Sequence, residues 1–382
     1  MAALLTSLKI SIPKSFIGRI GSMMIMTTLA VGLGSCGGEP ASEEGESPES
    51  MAAADTGITI VTTFLPITEF TTAVVGDRGT VTQLLPMNVD PHDFQAKPGD
   101  VQTLTQADVL VKNGLEMENF LEDLVANADN SNLTVIDTSA GIATIENDDI
   151  DGGSHGHDHG HDHSHDHGHS HDHGESETAG HHHHHGKYNP HIWLDPKRAI
   201  QQVENIRDGL IGVDEENAEI YTANAAAYIQ QLQELDRQIT EQLRPFRGRT
   251  FVVFHDFAPY FAESYGLNAE FLVDVPEDNP SPADVQRVMN TVQQSDLKTL
   301  LTEPGAGDSF AALAQDLGVN ISTFDPLETG PTDAIEPGYY ITTMNQNVQN
   351  IVSAFGGTTQ QSYQPLWFSP ASVAVVSQGL RF

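Results

Sequence analysis

From Gly57 onward the chain alternates short strand-like runs with amphipathic, helix-like ones. GITIVTTFLPI (57–67) predicts a strand, and ITEFTTAVVG (67–76) a helix closing at Gly76. TVTQLLP (80–86) is a second strand, and DVQTLTQADVLVKNG (100–114) a helix followed by a strand. MENFLEDLVANA then reads as a helix and LTVIDTS (133–139) as a strand. Strands alternating with helices predict parallel βα units. The pattern stops at residues 141–187, a low-complexity insertion expected to project as a long loop.

Beyond the insertion, Asp195-Pro196 has the form of an N-cap followed by a first helical residue. A helix over DPKRAIQQVENIRDGLIGV leads into a longer helical stretch at about 214–243. Its apolar positions, Ala225, Tyr228, Ile229, Leu232, Leu235, Ile239 and Leu243, recur every three or four residues. A helix of that length spans roughly 45 Å, enough to cross from one lobe to another; two packed helices are the alternative. Strand and helix then alternate again: RTFVVFHDF (249–257), FAPYFAESYG, NAEFLVDV, SPADVQRVMNTVQQSD (281–296), LKTLLTEP, SFAALAQDLG, NISTFDPLE and a last helix YYITTMNQNVQNIVSAFGG. The fold class expected is α/β with parallel sheets. Residues 358–382 show no pattern with a clear role.

The first residues change the picture of where the protein works. Lys9, Lys14 and Arg19 precede the apolar stretch IGSMMIMTTLAVGLG, a secretory signal pattern too short to favour a spanning helix. It runs into Leu33-Gly34-Ser35-Cys36, which resembles the bacterial lipobox, and Cys36 is the sole cysteine. Residues 1–35 are thus expected to be a lipoprotein signal peptide, with Cys36 lipidated and 36–56 a flexible tether rich in Gly, Glu, Ser and Ala. A lone cysteine excludes an intramolecular disulfide. Loss of the signal takes the formal charge from −36 to −39. So acidic a chain argues against nucleic acid as a partner and attracts cations.

The candidate chemistry lies in the histidines. Of 18 in the chain, fifteen fall in SHGHDHGHDHSHDHGHSHDHGESETAGHHHHHG, a compositional signal for metal binding. The other three are His92 in NVDPHDF, His191 in YNPHIWLDP and His255 in FVVFHDFAPY. Each follows a strand or precedes a helix start, where ligands gather in open α/β sheets. Imidazole suits zinc and other transition metals rather than magnesium or calcium.

PHDFQAKPGD around His92, NPHIWLDP around His191, FHDFAPYFAESYGL around His255 and the ending FDPLET together resemble the metal-binding lipoproteins of ATP-driven zinc and manganese uptake systems. The resemblance covers about residues 57–356. It implies two βα lobes joined by a long backbone helix, with one metal bound in the cleft between them. The corresponding boundaries are 57–213 for the first lobe, 214–245 for the linking helix and 246–357 for the second lobe. It also implies His92, His191 and His255 as ligands. Manganese-type relatives tend to have a carboxylate at the place of His255, so histidine there favours Zn2+ over Mn2+. The fourth position aligns with Asp325, with water as the alternative. Glu303 is a further candidate, otherwise a strand-end carboxylate or one that hydrogen-bonds a ligand, and Asp93, Asp195 and Asp256 have capping or ligand-orienting roles.

The expected function is zinc capture by a monomeric, lipid-anchored periplasmic protein that delivers the ion to an ABC permease, without catalysis. The His-rich tract would serve as a weak zinc antenna or buffer. Two other classes remain open from sequence: a zinc-dependent hydrolase, since three histidines and an open position also describe catalytic zinc, and a metal-buffering or adhesion lipoprotein with no permease.

Overall fold

The structure, a computed structural model, describes residues 57–147, 186–276, 279–304, 308–332, 334–335 and 338–357. The expected signal peptide, Cys36, the tether, all fifteen clustered histidines and the tail 358–382 lie outside the described residues. Among those residues no helix is long and apolar enough to cross a membrane.

Before the long helix, β1 (Ile58–Thr62), α1 (Leu65–Val75), β2 (Gly79–Gln83), α2 (Pro98–Thr105), β3 (Val109–Lys112), α3 (Leu121–Ala128) and β4 (Thr134–Asp137) follow the predicted order. The strands form one parallel sheet, β2-β1-β3-β4, with Ile60 opposite Val81 and Val109. The central strands are mostly apolar because helices cover both faces of such a sheet, and Ile60, Val61, Val109, Leu110 and Val111 are buried. Helix α1 begins at Leu65, earlier than the apolar run suggested, because Pro66 occupies its first turn and cannot continue a strand.

The ends of the insertion are paired. Glu146 and Tyr188 form an antiparallel bridge, the Asn147 N–H donates to the Lys187 carbonyl, and the Asn189 N–H to that of Ile145. Residues 141–147 and 186–187 therefore belong to the ordered body.

Helix α4 (Pro196–Val213) starts where the Asp-Pro pair predicted, with the Asp195 carboxylate accepting from the Lys197 N–H. A one-turn 3-10 helix (Glu215–Asn217) separates it from α5 (Ala218–Leu243), 26 residues of continuous helix, or about 39 Å. Tyr221, Ala225, Tyr228, Leu232, Leu235, Ile239 and Leu243 form its buried stripe. Beyond it come β5 (Thr250–His255), α6 (Pro259–Tyr265), β6 (Asn268–Val273), α7 (Pro282–Gln294), β7 (Thr299–Thr302), α8 (Asp308–Leu317), β8 (Asn320–Thr323) and α9 (Tyr339–Ala354). β5 pairs with β6 and β7 with β8, all parallel, and β7 runs beside β5.

One apolar core runs through both halves: Ile60 and Phe70 from the first, Tyr228 and Leu232 from the long helix, and Phe251, Phe324 and Tyr340 from the second. A smaller core under β5–β8 contains Val252, Leu272, Val288, Leu300 and Phe310. Helix α9 returns across the molecule to pack on α5 and α1. The Phe70 and Tyr340 rings meet there edge to face at 5.0 Å.

Candidate metal centre

Four side chains at or beyond strand ends converge on one buried point, two from each half. His92 follows β2, and His191 follows β4 after the insertion. His255 is the last residue of β5, and Glu328 follows β8. One donor atom from each lies within 4.8 Å of all the others. The three imidazole rings form a triangle with centroids 5.3–5.6 Å apart. Their Nε2 atoms all face Glu328 Oε1, at 3.2 Å from His92, 2.9 Å from His191 and 3.5 Å from His255. Donors about 2.0–2.1 Å from a tetrahedral zinc stand roughly 3.3 Å from one another, so these spacings suit a small ion at the centre. His255 Nε2 and Glu328 Oε2 are buried and lack a hydrogen-bond partner. Buried polar atoms rarely stay unsatisfied without a functional reason.

Local structure aims each of these side chains. Asp90 Oδ1 accepts from the His92 N–H at 2.9 Å, closing a turn over Asp90-Pro91-His92. His191 enters the 3-10 turn Ile192–Leu194, whose Trp193 Nε1–H donates to the Pro326 carbonyl at 2.8 Å. That bond fixes the His191 turn against the segment carrying Glu328. His255 Nδ1 donates to the Glu303 carboxylate at 3.1 Å. A carboxylate on one imidazole nitrogen leaves the other as a directed lone pair and raises its basicity.

The charges follow from the same contacts. Burial opposes a charged imidazole at His92, but Glu328 and then Asp90 outweigh it and raise its pKa above the ordinary value. At His255 burial is likewise overcome, by Glu303 and Glu328, and the pKa stands well above normal. Burial would raise the Glu328 carboxyl, yet His255, His191 and His92 leave it well below the usual carboxylate range. A negative Glu328 oxygen and the proton-bearing forms of His92 and His255 thus favour one another. A dication entering it would displace protons, as metals do on binding imidazole.

The structure brings His92, His191 and His255 together as the sequence suggested, but the carboxylate among them is Glu328 and not Asp325. The Asp325 side chain accepts the Leu327 N–H at 2.8 Å. Its own backbone is clamped by Asn347, which accepts the Asp325 N–H and donates to its carbonyl. Leu327 is left-handed, with φ 65°, a conformation unfavourable for leucine. Asp325 therefore stabilises the kink that turns Glu328 inward. Burial raises the Asp325 carboxyl to about 6, against the effect of the Leu327 N–H. Glu303 touches His255 Nδ1 and not the central point. The sequence signal for Glu328 was its place in FDPLET, where Asp325 is the first carboxylate after the strand.

The chain is similar to known proteins over most of its described length. A family model described as the periplasmic zinc-uptake complex component A, ZnuA, matches residues 60–354. This chain belongs to that family. It is 32% identical over 297 residues to the zinc-binding protein AdcA of Streptococcus pyogenes serotype M6, covering 77% of this chain and 55% of that protein. The chain thus spans about half the length of the AdcA relatives it matches. The manganese-binding lipoprotein MntA of Halalkalibacterium halodurans is 30% identical over 337 residues, covering 87% of this chain and 96% of the relative. Among solved structures, a crystal structure of ZnuA superposes with TM-score 0.62 at 25% identity, covering 78% of this chain and 99% of that one. Zn(II)-bound AdcA from Streptococcus pneumoniae superposes with TM-score 0.61 at 26% identity, covering 78% and 57%. Both ZnuA-like neighbours support the α/β architecture with parallel sheets and a long helix. The family consists of substrate-binding components of transporters.

Proposed function

We propose that this protein captures zinc outside the cytoplasmic membrane and presents it to an ABC permease for uptake. The observation that carries the reading is the convergence of three Nε2 atoms on Glu328 Oε1, with two buried donor atoms left unsatisfied. His92, His191, His255 and Glu328 would hold the ion. Three nitrogens and one carboxylate oxygen in a buried cluster form a complete tetrahedral shell for zinc. That argues against the hydrolase reading, because catalytic zinc keeps one position open for water or substrate. It also bears on manganese, which the name of the MntA relative raises: manganese is better served by more oxygen ligands. The AdcA and ZnuA names and the Zn(II)-bound neighbour support zinc as cargo. The lipobox-like Cys36 and the lipoprotein names of relatives support an anchored, extracytoplasmic protein. The His-rich tract would gather zinc weakly and reversibly near the site.

Metal titration of the purified protein with and without residues 150–186 tests this. One zinc should bind tightly to both forms, with several weaker ions on the intact chain alone. Loss of the tight ion on deletion would move the functional site to the tract and overturn the proposal.

A further inference from the structure

Asn189 lies two residues before His191, wholly buried, and is a meeting point between the halves. Its backbone N–H donates to the Ile145 carbonyl at 3.0 Å, and its carbonyl accepts the Tyr260 hydroxyl at 2.7 Å. Its side-chain nitrogen Nδ2 donates to two atoms of Asp256, the carbonyl at 2.8 Å and Oδ2 at 3.1 Å. Asp256 directly follows His255. Turning the amide over would set its oxygen against two acceptors, so the Asp256 contacts fix which end is which. Oδ1 must then face His191, where it lies 3.1 Å from the backbone N–H and 3.0 Å from Nδ1. An amide oxygen accepts only, so His191 Nδ1 must carry a proton. Nε2 is then the atom that faces the centre, 2.9 Å from Glu328 Oε1, and it offers its lone pair to a metal once the proton shared with that carboxylate is displaced.

We propose that Asn189 is a positioning residue for the metal. Oriented by Asp256 from the second half, it fixes both the ring direction and the metal-binding tautomer of His191 from the first. The inference rests on the zinc-binding reading above. It assigns to His191 a neutral amide in the role that the Glu303 carboxylate has at His255. The two second-half and first-half ligands are thus oriented by groups of different charge, and the amide adds no negative charge to a centre that already holds Glu328.

The test is Asn189→Ser in the full-length chain. A serine hydroxyl can still accept the His191 backbone N–H two residues on, as such turns do, but is too short to reach the ring. Zinc affinity, read by competition with a tight chelator so that the His-rich tract does not contribute, should fall about 10- to 100-fold, the usual loss when a ligand-orienting group is removed. The visible spectrum of the protein with one equivalent of cobalt(II) should shift, reporting changed geometry. In a His191→Ala background the same substitution should change affinity by less than about threefold, because contacting residues are non-additive when one acts through the other. Unchanged affinity in Asn189→Ser, or an equal loss in both backgrounds, would overturn the proposal. Should the variant fail to fold, the zinc-loaded wild-type chain still decides: the His191 Nδ1 proton should give a slowly exchanging NMR resonance, and its absence refutes the hydrogen bond. Failure of the wild-type chain to bind one zinc tightly would instead refute the proposed function.

Discussion

Glu69 offers a test of how the halves are held together that does not touch the metal centre. It lies on α1, 4% exposed, and its two oxygens accept the Tyr340 N–H at 3.1 and 3.0 Å. Tyr340 is the second residue of α9, whose cap residue Gly338 has no side chain to satisfy the helix N-terminus. Glu69 thus caps, across the core, a helix from the far end of the chain. The positive end of a helix favours a carboxylate, but burial wins and raises the Glu69 carboxyl from 4.5 to about 8. An acid whose folded pKa exceeds its unfolded one stabilises the fold fully below the unfolded value, and that contribution disappears as pH rises through the folded value. The window here is therefore pH 4.5 to about 8. At 1.36 kcal/mol per unit, the charged form costs about 3 kcal/mol at neutral pH and about 5 kcal/mol above pH 9. That is a large share of the ~5–15 kcal/mol that holds a typical domain folded. Glu69→Gln retains an acceptor for Tyr340 and cannot ionise. Denaturant unfolding of metal-free protein should show the variant and wild type alike near pH 4, with the variant progressively more stable toward pH 9. Asp90 and Asp325, raised to about 7 and about 6, are present in both proteins and cancel in the difference. A stability difference that does not change between pH 5 and 9 would refute the reasoning.

Two further outcomes follow from the centre itself. Glu328→Ala should weaken zinc binding by more than about 100-fold, beyond the loss typical of an orienting group. Asp325→Asn, which keeps an oxygen for the Leu327 N–H, should leave the affinity within about threefold, or ~0.7 kcal/mol; calorimetry showing the reverse ranking would restore Asp325 as the ligand. His255→Glu should weaken zinc and narrow its preference over manganese, since it exchanges a nitrogen for a hard oxygen. Competition at fixed pH on protein lacking residues 150–186 checks this, and an unchanged ratio of the two dissociation constants would remove His255 from the site.

The fold was largely legible because its strands are short, rich in β-branched and apolar residues, and separated by amphipathic helices. Asp195-Pro196 and Ser281-Pro282 mark two helix starts that the structure has, whereas Pro66, read as the end of a strand, lies in the first turn of α1. The long helix was visible from Tyr228, Leu232, Leu235 and Ile239, all buried. Its beginning was not, because the one-turn 3-10 helix at Glu215–Asn217 is polar and carries no periodic signal. Pairing across the base of the insertion was also hidden. Glu146, Lys187 and Tyr188 show no strand alternation, and they are joined by their backbones and by a Glu146–Lys187 ion pair at 2.9 Å.

Three of the four converging side chains were legible for a simple reason: histidine is rare outside the tract, and each isolated one sits at a strand end or before a helix. The fourth was not, and the cause is backbone conformation. Had the chain run on extended after β8, Asp325 would have been first to reach the cleft, as its position in the motif suggested. Instead Asn347 clamps the Asp325 backbone, Asp325 clamps Leu327, and Leu327 takes a left-handed turn. Leucine does not signal such a turn, because its side chain disfavours the conformation; burial of Leu327 in the core compensates for it. The site therefore places a strained residue directly before the converging carboxylate, and strain of this kind persists only where the surroundings over-determine it. Here they do so from both sides: Trp193 holds the Pro326 carbonyl from the first half, and Gly330 donates to the Met87 carbonyl in the loop that carries His92. Glu328 is thus positioned by contacts with the segments of two of its three histidine partners, which is why neither the carboxylate nor its direction could be read from its own stretch of chain.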